Sequence, residues 1–368
     1  MIKVKNNINK LATYKPPWTG MDRTGFLRMD LNEHTLAPPE HVKAALKKYI
    51  DSDRIQLYPD SGHFLLKLAQ YTGVAQEQLI ITNGSDQAIE IVLRAFLGKD
   101  DEMLMAEPGF PMFNQIAGVI GAKLKGISYR ILQDQGRQES GNDRISFPEQ
   151  EFMQAINFDT KLVILINPDN PTGVSIPLSI IENVLKIRDD LPVVVDEAYF
   201  EFTAGITSQS AVHLLKSYPN LIILRTFSKA FAMAGLRLGY IMAHPEIISQ
   251  FYKVRGPFDV NSCAVIAASA QLDNDSEWRL YVKESMTVSK PWLEKFFKKH
   301  NVNYYQSAAH FMLVKPAKRD EAVDYLKKNN ILVRPMIAPS ISDTFRMNVG
   351  TFDQTQQFAG VYKEYLYV

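Results

Sequence analysis

Cysteine is almost missing: Cys263 stands alone among 368 residues. A single thiol excludes an intrachain disulfide framework and a cysteine-based metal cluster, and no metal site is expected. Net charge is almost missing too, with 41 Lys and Arg against 40 Asp and Glu. So even a balance gives no electrostatic reason to expect nucleic acid or an anionic membrane as a partner. Long apolar runs are absent. Stretches such as residues 162–166 fall far short of the roughly 20 residues that span a bilayer. Residues 1–10 are polar and lack the apolar centre of a signal peptide. The expectation is a soluble protein of a reducing compartment, most simply the cytoplasm. Hydrophobic residues make up 46% and charged residues 22%, which excludes disorder for most of the chain.

The first thirty residues carry the breakers Pro16, Pro17, Gly20 and Gly25 and read as an irregular arm. Helical spacing then marks residues 39–50, with Val42, Ala45, Leu46 and Ile50 on one face, and residues 64–71. A turn at 58–62 separates them. From there strands and helices alternate. Strands are expected at 78–82, 102–106, 162–167, 192–196 and 221–226, and helices at 86–97, 113–120 and 177–188. Pro177 would sit in the first turn of the last helix. Most of these strands are bare Val/Ile/Leu runs. Strands covered on both faces read that way, so a mostly parallel α/β sheet follows. Past about residue 265 the pattern changes. A long helix is expected over 276–300, kinked at Pro291. Strands at 311–314, 331–335 and 344–349 and helices at 319–329 and the C-terminus complete a smaller α+β unit. The expected division is an arm (1–28), a large domain (45–265) and a small domain built from 29–44 and 266–368.

Ligands of open parallel sheets bind beyond the carboxyl ends of the strands. Those ends are polar here. Asn83-Gly-Ser-Asp86 opens a helix whose free N–H groups favour an anion, unless Ser85 or Asp86 simply caps it. Asn167-Pro-Asp-Asn-Pro-Thr-Gly173 is a loop stiffened by two prolines that would present Asn170, or else a plain turn. Asp196 ends a buried strand, where a carboxylate needs a cation or donor partner, and Tyr199 follows. Thr226-Phe-Ser-Lys229 places a lysine in apolar surroundings that would lower its pKa and make it nucleophilic. The alternative is an exposed loop lysine. Arg237 would meet an anion or a surface carboxylate. An anion cradle, a nucleophilic lysine, a buried carboxylate, a tyrosine, an asparagine and an arginine together suit pyridoxal 5′-phosphate.

In order, the motifs are Leu31-Asn-Glu33, Tyr58-Pro-Asp60, Asn83-Gly-Ser-Asp86, Pro108-Gly-Phe110, the 167–173 loop, Asp196-Glu-Ala-Tyr199, the 226–237 segment and Phe345-Arg-Met-Asn-Val-Gly350. With these the chain resembles the class I/II aminotransferases of pyridoxal-phosphate fold type I, and most of all the histidinol-phosphate aminotransferases. The resemblance implies that Lys229 forms the Schiff base and moves the proton. Asp196 would hold the pyridine nitrogen protonated. Tyr199 and Asn170 would bond the ring hydroxyl, and Phe110 would stack on the ring. The Ser85 and Asp86 backbone, Thr226, Ser228 and Arg237 would bind the cofactor phosphate. Tyr58 would reach the neighbouring subunit's cofactor, which implies a homodimer. Tyr14, Asn32, Arg334 and Arg346 would face the substrate. Two arginines suit a dianionic phosphate; the alternative for Arg334 is a surface ion pair of little worth.

The chain departs from the resembled pattern in three places. Asn32-Glu-His34-Thr35 replaces Asn-Glu-Asn-Pro, Phe110 replaces a tyrosine, and His310-Phe311 replaces Asn-Phe. All three lie toward the substrate. The expected activity is transamination of histidinol phosphate with 2-oxoglutarate as acceptor, within histidine biosynthesis. The alternatives are an aminotransferase for an aromatic or other amino acid of specialised metabolism, and an enzyme like threonine-phosphate decarboxylase. A ligand-sensing module fused to a DNA-binding domain is disfavoured, because Lys229 is present and a basic helix-turn-helix extension is not.

Overall fold

The computed structural model describes residues 2–15, 17–132, 144–203 and 209–367, so Pro16 of the expected arm lies outside it. The Val/Ile/Leu runs assemble one seven-stranded sheet. In spatial order its strands are Leu79–Thr82, Gly239–Ala243, Leu221–Thr226, Val193–Asp196, Thr160–Ile166, Glu102–Glu107 and Lys123–Ser128. All neighbours run parallel except the pairs made by Gly239–Ala243, which is antiparallel to both its partners. The mostly parallel expectation therefore holds. That reversed strand and the edge strand Lys123–Ser128 went unforeseen. The edge strand is largely exposed and mixes lysines with a glycine, so no apolar run announces it.

Alternation along the strands separates two cores. Leu79, Ile81, Val193, Val195, Leu221 and Ile223 join one cluster, and Ile80, Val194, Ile222, Leu224 and Ile241 join the other. Adjacent residues thus report to opposite faces of the sheet. Several expected helices shift by a residue or two. Residues 39–50 fold as Glu40–Ile50, but Tyr49 is buried and Ile50 is 54% exposed, so the tyrosine completes the apolar face. Pro177 precedes its helix, Leu178–Leu185, as the capping residue.

The long helix is continuous, and the expected kink takes a specific form. Ser276–Glu284 and Lys290–Lys299 are α-helical, and a π-helical turn, Ser285–Ser289, joins them. Pro291 has no N–H to give one turn back, and a widened turn relieves the crowding of its ring. Beyond it a four-stranded antiparallel sheet runs in the order Asn303–Tyr305, Phe311–Lys315, Phe345–Asn348, Arg334–Pro335. Its own core gathers Met312, Val314, Phe345 and Met347 with Phe297 and Phe358. The expected strand at 331–335 is split. Arg334–Pro335 joins this sheet, while Ile331–Leu332 pairs in parallel with Leu27–Arg28.

The arm is therefore less irregular than its breakers suggest. A short helix, Asn6–Lys10, rests on the helix Pro111–Ile120, where Asn7 donates to the carbonyls of Gly118 and Val119 at 3.0 and 2.8 Å. After Arg28 the chain crosses between the two sheets, held by Met29 N–H to Leu332 and by Asn348 N–H to Met29. Among the described residues no helix is long and apolar enough to cross a membrane.

Phe297 is wholly buried against Tyr304, Phe358 and Tyr362. Phe297→Ala is expected to cost about 3–5 kcal/mol, read as a lower urea midpoint; an unchanged midpoint would contradict this account of the core.

Candidate active site

The carboxyl ends of four parallel strands deliver Thr82, Ile166, Asp196 and Thr226 to one edge of the large sheet. The segment that crosses from Met29 to His34 covers that edge. Lys229 lies three residues past its strand, and its Nζ donates to the Leu31 carbonyl at 3.0 Å. The amine is 5.8 Å from the centre of the Tyr199 ring. Burial lowers the Lys229 pKa to about 8, and the nearby Arg346 charge pushes the same way. The exposed-lysine alternative fails for that geometric reason.

Asp196 is buried and accepts the Ala198 N–H at 3.0 Å. Burial raises its pKa to about 7, against the pull of that hydrogen bond and of Lys229. Tyr199 is fixed through its hydroxyl, which accepts from Asn32 Nδ2 at 3.1 Å and Asn170 Nδ2 at 3.0 Å. Both contacts come from donors, so the tyrosine's own proton remains free to be given. Asn32 adopts a left-handed backbone, φ 54°, to reach it. Asn170 in turn accepts from Arg346 through its carbonyl oxygen. Arg346, Asn170, Tyr199 and Asn32 thus form one chain of hydrogen bonds.

The anion cradle has the expected parts. The helix Gly84–Phe96 starts at Asn83 with no side-chain cap, so neither Ser85 nor Asp86 acts as one. Asp86 instead meets Arg237 at 3.1 Å, and Arg237 also donates to Ser228 at 3.3 Å. Ser228 Oγ is bonded to Thr226 Oγ1 at 2.9 Å. A side chain at Gly84, φ 75°, would collide with the Arg237 guanidinium. A Cβ on Gly239 would come within 2.7 Å of the Ser85 nitrogen. Phe110 is the residue before the helix Pro111–Ile120 and packs beside the core of that face.

The small sheet contributes the arginines. Arg334 and Arg346 are direct cross-strand partners, so their side chains leave the same face of the sheet side by side. Arg346 is buried and donates to the Asp30 carbonyl at 2.8 Å, while its Nε is unpartnered among the described residues. Arg334 Nη1 is buried and unpartnered, and no carboxylate pairs with this residue among the described residues. The surface ion pair is therefore not made. Tyr14 lies near enough to Arg346 to act on its guanidinium electrostatically. Tyr58 stands apart: it is 78% exposed and stacks on Phe258 at 4.2 Å.

Sequence reasoning missed an ion cluster beside the crossing segment. Arg23 pairs with Asp30 at 2.8 Å and with Glu33 at 2.7 Å. Arg23 and Asp30 lie in no recognisable motif, and only Glu33 carried a signal. Also unforeseen is the setting of His310. It is wholly buried, stacked on Phe202 at 3.7 Å and 5.6 Å from the Tyr199 ring, with both ring nitrogens unpartnered among the described residues.

Residues 24–361 match the family described as aminotransferase class I and II. The chain is similar to the histidinol-phosphate aminotransferase of Geobacillus sp. (strain WCH70), at 33% identity over 369 residues, 97% of this chain and 96% of the relative. Its fold is similar to that of histidinol-phosphate aminotransferase from Sinorhizobium meliloti in complex with pyridoxal-5′-phosphate. That match has a TM-score of 0.84 at 22% identity and covers 100% of this chain and 98% of the other. L-threonine-O-3-phosphate decarboxylase from Porphyromonas gingivalis shares the fold as well, with a TM-score of 0.77 at 21% identity over 93% of this chain and 100% of the other.

Acylation of the cofactor-free protein over a pH series, read by peptide mass mapping, tests the Lys229 environment. Its reactivity is expected to reach half its maximum near pH 8, while exposed lysines follow near ~10.4. Titration together with the exposed lysines would refute the burial argument. The sign for stability follows from linkage. The folded pKa is depressed, so between about 8 and the ordinary lysine value of 10.5 the unfolded chain holds more protons, and stability contributed by this group rises with pH there.

Proposed function

The chain belongs to the class I and II aminotransferases, and from that premise we propose a pyridoxal-phosphate-dependent transaminase for a phosphorylated amine, histidinol phosphate, with 2-oxoglutarate as acceptor. The observation that carries the substrate is the register of Arg334 against Arg346. Like charges directly opposite each other on a sheet destabilise it. Two neighbouring guanidiniums with unpartnered nitrogens gain most from an anion that each can reach, and a phosphate dianion has the charge and oxygens for both.

The residues present fit the cofactor: an uncapped helix start with hydroxyls and an arginine, a buried carboxylate, and a lysine of lowered pKa. When bound, pyridoxal phosphate supplies an aldehyde for amines and a ring that withdraws electrons from the carbon beside it. The Ser85–Asp86 backbone, Thr226, Ser228 and Arg237 would hold its phosphate, and Asp196 its ring nitrogen. Tyr199, with its proton free, would donate to the ring hydroxyl, Asn170 would support that contact, and Phe110 would cover the ring. Lys229 Nζ, readily neutral near pH 8, would take a proton from the substrate carbon and return it elsewhere. Tyr14 and Asn32 would close over the substrate. The assembly would be a homodimer. Ile55, Leu57, Tyr58 and Phe258 leave an apolar patch at least half exposed, and its burial by a second copy would bring Tyr58 to the partner's cofactor.

One observation favours a second reading, an aromatic or other amino acid as donor. His310 beside Tyr199 and His34 stacked on Tyr281 at 3.7 Å alter the substrate side. A half-reaction screen decides between them. Cofactor-loaded protein is mixed with single amines, and loss of its aldehyde-form absorbance is followed without keto acid. Conversion by histidinol phosphate supports the phosphate reading. Conversion only by aromatic amino acids would replace it, and carbon dioxide release from threonine phosphate would indicate a decarboxylase.

Lys229→Ala is expected to abolish turnover, and retained multiple turnover would remove the mechanism. Asp196→Ala is expected to cost about 3 kcal/mol in kcat, by analogy with losing a preorganised electrostatic partner. Arg334→Ala is expected to lower kcat/KM for the phosphorylated amine by roughly 10- to 100-fold, the loss of charge-assisted bonds worth about 1.5–3 kcal/mol. An equal loss with an unphosphorylated amine would contradict the phosphate role.

A further inference from the structure

A cavity of about 510 Å³ lies away from Lys229, between the large sheet and the long helix. Tyr71, Phe200, Glu201, Arg225, Trp278 and Lys283 are among its walls, and none of the cofactor or substrate residues described above is. Its buried end carries charge. Arg225 is held by Glu197 at 2.8 Å and by Ser210 at 2.7 Å, and lies 4.0 Å over the Phe200 ring. That leaves Glu201 as the extra carboxyl group. It is 5% exposed, accepts from Tyr71 at 3.1 Å through one oxygen, and its other oxygen has no partner among the described residues. The cavity walls also include two further cations. Lys283 is exposed and makes no ion pair among the described residues, and Arg279 beside it is shared with Asp275. Trp278 and Val282 supply apolar wall.

We propose that this cavity is a second ligand site, for a small zwitterion of the free amino-acid class. Its ammonium group meets Glu201, its carboxylate meets Lys283, and its side chain lies against Trp278. Burial raises the Glu201 pKa to about 7, and a bound ammonium group would favour the ionised carboxylate. The site is wired to the catalytic edge through the main chain. Glu197 follows Asp196, Arg225 precedes Thr226, and Phe200 follows Tyr199. A ligand that shifts the walls Phe200 and Arg225, and through Arg225 its partner Glu197, therefore bears on three residues of the catalytic edge without touching the substrate.

The test uses cofactor-loaded Arg346→Ala protein, in which anion binding at the substrate site is weakened. Each of the standard L-amino acids is added singly at millimolar concentration and the melting temperature is followed. At least one is expected to raise it in a saturable way. Glu201→Gln and the exposed Lys283→Ala, each added to that background, are expected to weaken this binding by roughly 10-fold or more, as loss of a charge-assisted contact does. No shift with any amino acid, or a shift that survives both substitutions, would overturn the proposal. Either result leaves the transaminase reading untouched, because that rests on turnover by the unsubstituted protein.

Discussion

Everything at the catalytic edge depends on keeping one amine buried without a carboxylate bonded to it. Packing around Lys229 limits the water that reaches its amine, whose hydrogen-bond acceptor among the described residues is a backbone oxygen, that of Leu31. Nearby Arg346 adds repulsion rather than relief. An ammonium group so placed gives up its proton more readily than an ordinary lysine. A direct salt bridge would have done the opposite. The segment from Met29 to His34 is therefore part of the chemistry. It supplies the carbonyl, it sends Asn32 to Tyr199, and it is itself pinned through Asp30 and Glu33 by Arg23.

The same logic of imbalance runs through the rest of the site. The arginines of the small sheet stand side by side, and the Gly84–Phe96 helix start has no side-chain cap. Folding alone gains nothing from either arrangement. Each leaves positive charge or free donors that an anion would satisfy. The hydrogen bonds from Arg346 through Asn170 to Tyr199 then tie the substrate arginine to the cofactor tyrosine. A change of anion at one end can reorient the donor at the other.

Strand alternation explains how one sheet carries two kinds of polar group. Asp196 and Thr226 end strands at the catalytic edge, while Arg225, one residue earlier, reports with Leu221 and Ile223 to the other face. There it is neutralised by Glu197 in a fully buried pair. Such a pair is costly to break from one side, so it fixes the geometry of the strand ends that hold the cofactor residues.

Much of this was legible in the amino-acid order. Apolar runs of a strand's length, alternating with helical spacing, determined the mostly parallel sheet, because a strand buried on both faces has to be apolar throughout. Polar residues at the ends of those runs marked Asp196, Asn170, Tyr199 and Lys229, since ligands of such sheets lie beyond the carboxyl ends of the strands. The breaker-rich arm hid its helix and its strand pairing with Ile331–Leu332, which are too short to show a period. The edge strand Lys123–Ser128 hid for the opposite reason, being exposed and mixed in character. Only the tertiary structure decided that Arg334 faces Arg346, that the Leu31 carbonyl meets Lys229, and that Arg23, Asp30 and Glu33 gather beside it. Each of those contacts joins segments whose meeting is set by sheet register and chain crossing, and neither of these is written in local periodicity.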